Sequence, residues 1–241
     1  MSLVVRGLTE GDAPAGGRVL CHGFGCGVPR RDKPARGCRG SVHALAHWAA
    51  ADAATRAKPH DRADHRGFPP KQIDCITGVC KAFSSAVGDG PFPTEMPETD
   101  AALFRGTGAN PDDEYGARTG RSRRIGWLDL PILRYANAIN GFDELVLTKL
   151  DKLDTLPEIK VCTHYTLDGR ILERMPNTSD LYRVEPVYET MRGWLKDTTC
   201  CNAFDELPEN AKKYVQRISE AIGVPIRYIG NGPSRENTIL V

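Results

Sequence analysis

The sequence predicts an α/β fold for residues 67–241, a mostly parallel sheet with flanking helices, after an irregular stretch of about 66 residues. Three observations lead there. From Gly67 onward, segments of helical apolar spacing alternate with short β-branched runs, the pattern of strands joined by crossover helices. The composition changes abruptly near the same point. A chain of 241 residues is also long enough for one or two domains with a sizeable core. With 40% hydrophobic and 26% charged residues, and no apolar run near the roughly 18 that cross a bilayer, no membrane span is expected. Thirty-two basic against 31 acidic side chains leave +1, which gives no reason to expect nucleic acid as a partner.

That near-neutral average hides two compositions. Residues 1–66 carry 11 basic and 6 acidic side chains, hold 5 of the 6 His, and contain no Ile, Tyr, Asn or Gln. Few spaced apolar residues are present to form a core face, so little regular structure is expected. Cys21, Cys26, His43 and His47 have the ligand order of a zinc finger, but sixteen residues separate the pairs and they lack the apolar positions such a finger packs. Ala44–Ala57 has the propensity for a weak helix. The composition fits best a G- and C-rich coding sequence read in another frame. Eight scattered Cys without a secretory leader point to free thiols and a reducing, cytoplasmic setting.

The elements follow in order. Lys71 to Val87 has apolar residues at Ile73, Ile76, Val79, Cys80, Phe83 and Val87, the spacing of a helix face, with Gly88 as its stop. The proline-rich DGPFPTEMP is a rigid loop. Asp129 caps a helix through Leu133, Ala136 and Ile139 that stops at Asn140-Gly141. Strands are expected at 144–150 and 159–165, and a third near 170–173 after the turn Leu167-Asp168-Gly169. Pro208 opens a helix through Ala211, Val215 and Ile218, and PIRYIG forms a last strand ending in the turn at Gly230, Asn231, Gly232 and Pro233. In such sheets ligands gather at the carboxyl ends of strands.

Two of those places carry chemistry. LTKLD sets Lys149 and Asp151 at a strand end, where a carboxylate can accept two parallel hydrogen bonds from the N1 and N2 hydrogens of guanine. Adenine cannot supply them, so the pair would select GTP over ATP. The lysine stem can cover the base while its ammonium stays near solvent. The plainer reading, a strand end with two solvated charges, remains open on these letters alone. The glycine-rich loop around TGRSRR gathers Arg118, Arg121, Arg123 and Arg124, and an extended backbone would let Arg121 and Arg123 grip one carboxylate or phosphate. A solvated basic loop is the alternative. No G-x-x-x-x-G-K-[ST] phosphate loop occurs in the 241 residues.

Six segments together resemble one family: GVCKAFSSAVGDGPFPTE (78–95), DEYGARTGRSRRIGWLDLPILRYA (113–136), LTKLDKLD (147–154), IKVCTHY (159–165), PVYETMRGW (186–194) and NGPSRENTI (231–239). In order and spacing they look like motifs of adenylosuccinate synthetase, whose fold is related to the P-loop NTPases. The resemblance covers about residues 67–241 and implies a GTP-dependent carbon–nitrogen ligase that joins IMP to L-aspartate, the first committed step to AMP. It implies Mg2+ and GTP as cofactors, IMP and L-aspartate as further partners, a cytoplasmic homodimer, and no role for nucleic acid or membrane. By resemblance Ala117, Arg118, Thr119, Gly120, Arg121, Ser122 and Arg123 form the loop that takes aspartate and IMP, with Arg123 also reaching GTP. Lys149, Leu150, Asp151, Gly230, Asn231 and Gly232 would hold the guanine.

The departures from the family pattern are as informative. Its N-terminal half supplies the phosphate loop, the aspartate that is general base and magnesium ligand, and the histidine general acid. None of those motifs occurs here, so no catalytic residue and no metal ligand is identified. Arg118 stands where Thr is usual, Ala86 where Arg is, Arg192 where Pro is, and Gly230 and Ser234 also differ. Two classes of function follow: the aspartate- and guanine-binding part of a ligase, or a non-catalytic paralogue that binds a nucleotide or a partner subunit. Because phosphate and oxyanion stabilisation are usually the largest catalytic terms, the 241-residue chain alone is expected to show no ligase turnover. An assay with IMP, aspartate and GTP checks this, and steady formation of adenylosuccinate would contradict it.

Overall fold

Three parallel strands set the frame of the main sheet: β3 (Cys75–Lys81), β7 (Glu144–Thr148) and β11 (Ile226–Gly230), with β7 in the middle. The computed structural model describes residues 75–110, 112–116 and 119–241, together with the backbone of β1 (Ser2–Arg6) and β2 (Ser41–Val42). β1 runs antiparallel to β3, with β2 antiparallel on β1, and β12 (Thr238–Leu240) lies antiparallel on the far side of β11. The result is a parallel centre with antiparallel edges. Cys21, Cys26, His43, His47 and the helix expected over Ala44–Ala57 lie outside the described residues.

The helix expected over Lys71–Val87 is a correction. Its first four residues lie outside the described ones, and the remainder forms β3 and the short β4 (Ser84–Ala86). β3 pairs on both sides and is buried on both faces at Ile76, Thr77, Gly78 and Cys80. A strand covered on both faces reads as a nearly continuous apolar run, which periodicity cannot separate from a buried helix. Gly78 was the signal against a helix. A Cβ there would stand 2.6 Å from Leu145 Cδ2 and 3.1 Å from the Phe142 ring, so the packed Leu145 and Phe142 side chains fill the space a larger residue would need.

A second sheet centres on β8 (Glu158–Leu167), with β10 (Glu185–Arg192) antiparallel on one side and β6 (Leu128–Asp129) parallel on the other. β9 (Arg170–Leu172) returns from β8 through Asp168 and Gly169, both at positive φ (50° and 77°), the tight hairpin the sequence signals. β4 pairs with β5 (Arg124–Gly126), which carries the arginine loop at its start. The helices are α1 (Glu98–Arg105), α2 (Leu130–Asn140), the single turn α3 (Thr178–Leu181) and α4 (Glu209–Ile222).

α4 buries Ala211, Tyr214, Val215, Ile218 and Ile222, an i, i+3, i+4, i+7 stripe. Covering each such aliphatic side chain is worth roughly 1.5–3 kcal/mol. Tyr214 also donates its hydroxyl to the Ala82 carbonyl at 2.6 Å, tying α4 to the end of β3. Arg134 on α2 donates to the Ala221 and Thr163 carbonyls, both at 3.0 Å, which joins α2 to α4 and β8. The five described cysteines are free thiols.

Asp129 caps α2 as expected, accepting from the Ile132 amide at 3.2 Å, while Gly141 ends the helix at φ 61°. The carboxylate is buried and accepts the Tyr165 hydroxyl at 2.6 Å. Burial outweighs these two hydrogen bonds and pushes its carboxyl up to about 7. An unfolded Asp titrates near 3.9, so the folded chain holds this proton when the unfolded chain has lost it. Its contribution to stability is therefore complete below about pH 4 and lost as pH rises through about 7. Asp129→Asn keeps a capping oxygen and removes the titration. Wild type should lose about 2 kcal/mol more stability than the variant between pH 5 and pH 8, measured by urea unfolding at both values.

Candidate functional site

The carboxyl ends of the three parallel strands bring Lys81 (end of β3), Lys149 (after β7) and Asn231 (after β11) to one edge of the sheet. Between them sits Glu114, whose side chain is fully buried. Its two oxygens receive three cations. Lys81 Nζ lies 2.8 and 2.7 Å from Oε1 and Oε2, Lys149 Nζ lies 2.7 Å from Oε1, and Arg123 Nη1 lies 3.0 Å from Oε2. Burial by itself would raise the Glu114 carboxyl, but Lys81 and Lys149 overcome it and hold it down to about 2. The Lys81 ammonium moves the other way. Burial lowers it to about 8, only partly offset by Glu114, with Lys149 and Arg123 adding repulsion.

Glu114 opens the arginine loop, and the loop folds back on it. Arg123 N donates to the Glu114 carbonyl at 2.9 Å, Gly116 N to Arg121 O at 2.8 Å, and Gly120 N to Gly116 O at 2.8 Å, with Gly120 at φ 63°. The base of the loop is clamped by buried Arg105, which donates Nε to Arg123 O at 2.9 Å and pairs with Glu98 through both guanidinium nitrogens. Thr119, Gly120, Arg121 and Ser122 are exposed on the loop's outer side. Ala117 and Arg118 lie outside the described residues.

The expected pairing of Arg121 and Arg123 on one ligand does not match this geometry, because Arg123 is turned inward to Glu114 while Arg121 faces solvent. Nor is Arg124 available to an anion. It donates to both Glu95 oxygens (Nε to Oε1 at 2.7 Å) and to the Gly88 and Gly90 carbonyls at 3.0 and 2.7 Å, and lies 5.3 Å from the centre of the Phe92 ring. Arg124 holds the proline-rich loop in place.

Lys149 adopts φ 63°, ψ 37°, the left-handed region that a non-glycine residue rarely enters. That turn ends β7 and starts a 3-10 turn, Leu150–Leu153. It sends the Lys149 ammonium to Glu114 and to the Asp112 carbonyl, and not toward solvent as expected. Asp151 is left behind on the other side. Lys152 is its one ion-pair partner among the described residues, at 3.9 Å, and its side chain is 14% exposed. Burial shifts the Asp151 carboxyl upward, a sign that desolvation is incompletely compensated. Leu150 is fully buried in the core, so only its backbone could meet a ligand.

Asp151 lines a cleft of about 630 Å³ with Lys152 and Thr155 on its own side and the exposed side chains of Leu103 and Leu195 on the rim. The cleft wall from Leu195 to Thr199 is latched by Asp154, which accepts from Trp194 Nε1 at 2.6 Å, Thr198 N at 2.7 Å and the Thr198 hydroxyl. Asn231 completes the latch. It is fully buried and donates Nδ2 to the Thr198 carbonyl and, at 3.0 Å, to that of Cys201. Gly230 abuts Thr148, a Cβ there falling 3.6 Å from the Thr148 Cα, and Gly232 packs on Asn237, where a Cβ would meet the side chain at 2.6 Å. Gly230 thus sits against the end of β7, while the Asn231 side chain supports the cleft wall and does not line the cleft itself. Among the described residues no group of three or more His, Cys, Asp or Glu could hold a metal ion.

Sequence reasoning did not single out Lys81 and Glu114, the centre of the charge cluster. A lysine closing an apolar run was the available signal for Lys81, whereas Glu114 stands in DDE, which reads as a solvated acidic turn.

The family model for adenylosuccinate synthetase matches residues 57–239. Adenylosuccinate synthetase 1 of Methanosarcina acetivorans is 56% identical over 174 residues, 72% of this chain and 41% of the relative. Adenylosuccinate synthetase of Paramecium tetraurelia is 45% identical over 175 residues, 72% of this chain and 40% of the relative. The solved structure of fully ligated adenylosuccinate synthetase from Plasmodium falciparum superposes with a TM-score of 0.72 at 37% identity, over 83% of this chain and 45% of that one. The chain thus spans about two fifths of the length of the curated relatives it matches.

If Arg124 is a structural anchor and Arg121 is not, their alanine variants should differ in stability. Arg124→Ala should lose about 1 kcal/mol, since a half-exposed ion pair is worth little and the two carbonyl bonds and ring contact add the rest. Arg121→Ala should stay within about 0.5 kcal/mol of wild type. Urea unfolding of both variants measures the difference, and equal losses would contradict the assignment.

Proposed function

Because the chain belongs to the adenylosuccinate synthetase family, we propose that it supplies the aspartate loop and guanine subsite of a GTP-dependent ligase that joins IMP to L-aspartate, giving adenylosuccinate, GDP and phosphate. The observation that carries the reading is Asp151: a partly buried carboxylate at the carboxyl end of a parallel strand, opening on a cleft, whose one ion-pair partner among the described residues is Lys152 at 3.9 Å. Its two oxygens match the two parallel donors, N1–H and N2–H, on the edge of guanine. A base that fills those sites restores the hydrogen bonds that burial removed, and a base lacking them leaves the carboxylate unpaired.

The exposed outer side of the arginine loop, Thr119 to Ser122, is the part free to meet a small dicarboxylate and a nucleotide ribose, with Arg121 as its cationic donor. Ala117 and Arg118 belong to the same loop by family resemblance. Arg123 contributes through the Glu114 cluster. That cluster sums to two positive charges in excess of its one carboxylate, which favours anionic substrates at this edge of the sheet. Mg2+ belongs to the family reading, with its ligands expected among the family's N-terminal motifs. The family reading brings with it a cytoplasmic homodimer, and among the described residues no helix is long and apolar enough to cross a membrane.

Asp151→Asn tests the base assignment. One acceptor is kept while the other becomes a donor facing a guanine hydrogen, so GTP affinity should fall by about 1–3 kcal/mol, roughly tenfold to a hundredfold. Inosine triphosphate lacks the 2-amino group, so wild type should prefer GTP over it and the variant should not. Calorimetric titration of both proteins with both nucleotides gives the answer. A variant with unaltered affinity and preference would show that the base is read elsewhere.

A further inference from the structure

Lys149 and Asp151 are two residues apart and opposite in charge, and Asp151 lines the cleft, yet they are not an ion pair. Two neighbours of this kind would ordinarily meet, and such a contact would occupy the acceptors that a base must find vacant. What prevents it is Glu114. Its Oε1 takes the Lys149 ammonium at 2.7 Å, the Asp112 carbonyl takes a second of its hydrogens, and the left-handed turn at Lys149 points the side chain that way. The same carboxylate also holds Lys81 and Arg123, so it is anchored from three directions and cannot follow the lysine toward the cleft.

We propose that Glu114 is a positioning residue for the guanine subsite: by holding the Lys149 ammonium it keeps that lysine off Asp151 and leaves the Asp151 carboxylate open to the donor hydrogens of the base. The inference rests on the guanine reading given above and adds to it a residue that never touches the nucleotide. In Glu114→Gln the amide cannot balance three cations, which frees the Lys149 ammonium to swing toward Asp151, two residues on.

The 241-residue chain is titrated with GTP and with inosine triphosphate, in wild type, Glu114→Gln, Lys149→Met, and the double variant. Wild type should prefer GTP. Glu114→Gln should bind GTP at least tenfold more weakly and lose the preference. Methionine keeps the lysine stem but removes the ammonium, so in the Lys149→Met background Glu114→Gln should cost nothing further. The same loss in both backgrounds, or a retained preference in Glu114→Gln, overturns the inference. A wild type that binds without preferring GTP instead overturns the guanine reading itself, so the two failures are distinct. Lys81→Met added to Glu114→Gln removes one surplus cation and guards against a folding defect. Melting temperature should recover while the preference stays lost. Recovery of both would show that Glu114 acts through stability alone and would overturn the positioning role.

Discussion

One buried carboxylate fixes how the carboxyl-end edge of this sheet is assembled. Glu114 has no exposed side-chain surface and three cations within 3.0 Å, and each cation comes from a different part of the chain: the end of β3, the end of β7 and the far side of the arginine loop. A carboxylate taken out of water without partners costs several kcal/mol. Here the cost is met by ion pairs that can form only when β3 and β7 lie side by side in register and the arginine loop has closed. The ion cluster is thus a consequence of the parallel pairing and at the same time the device that orients the loops above it.

The surplus of positive charge in that cluster explains an arrangement that would otherwise be costly. One carboxylate for three cations leaves mutual repulsion, which adds a little to the burial that already lowers the Lys81 ammonium. A protein optimised only for stability would place a second acid there. Keeping the surplus instead stores attraction for anionic groups at the strand ends, where open α/β sheets bind their ligands. The outward side of the arginine loop then adds the exposed Arg121, which has no ion pair among the described residues. Stability elsewhere comes from ordinary sources: the aliphatic stripe of α4, the Arg134 bridge between α2, α4 and β8, and the Asp154 latch.

How far the sequence foretold this depends on the range of each interaction. Elements whose signals are local were legible: the Asp129 cap and Gly141 stop of α2, the Asp168-Gly169 hairpin, the apolar face of α4, and the strands ending at Thr148 and Gly230. The helix expected over 71–87 was not legible as β3, because burial on both faces comes from neighbours 67 residues away in the chain. Asp151 and the turn 230–232 were legible as candidate site residues because position at a strand end is readable from the strand. The inward turn of Arg123 and Lys149 was not. It depends on Glu114, and nothing local distinguishes that acid from Asp112 and Asp113 beside it.

Lys149 shows how the local and the long-range terms meet. A left-handed lysine is disfavoured by about 1–2 kcal/mol, and such conformations persist only where surrounding contacts over-determine them. Two acceptors, the Glu114 carboxylate and the Asp112 carbonyl, supply that determination. The conformation in turn reverses the chain at once after β7, so that the 3-10 turn carries Asp151 to the cleft while Leu150 drops into the core as its anchor. A glycine at 149 would relax the backbone but would leave no ammonium for Glu114. An ordinary β conformation would keep the ammonium but run the strand past the cleft. The left-handed lysine satisfies both demands, keeping its ammonium on Glu114 while the turn after it delivers Asp151 to the cleft.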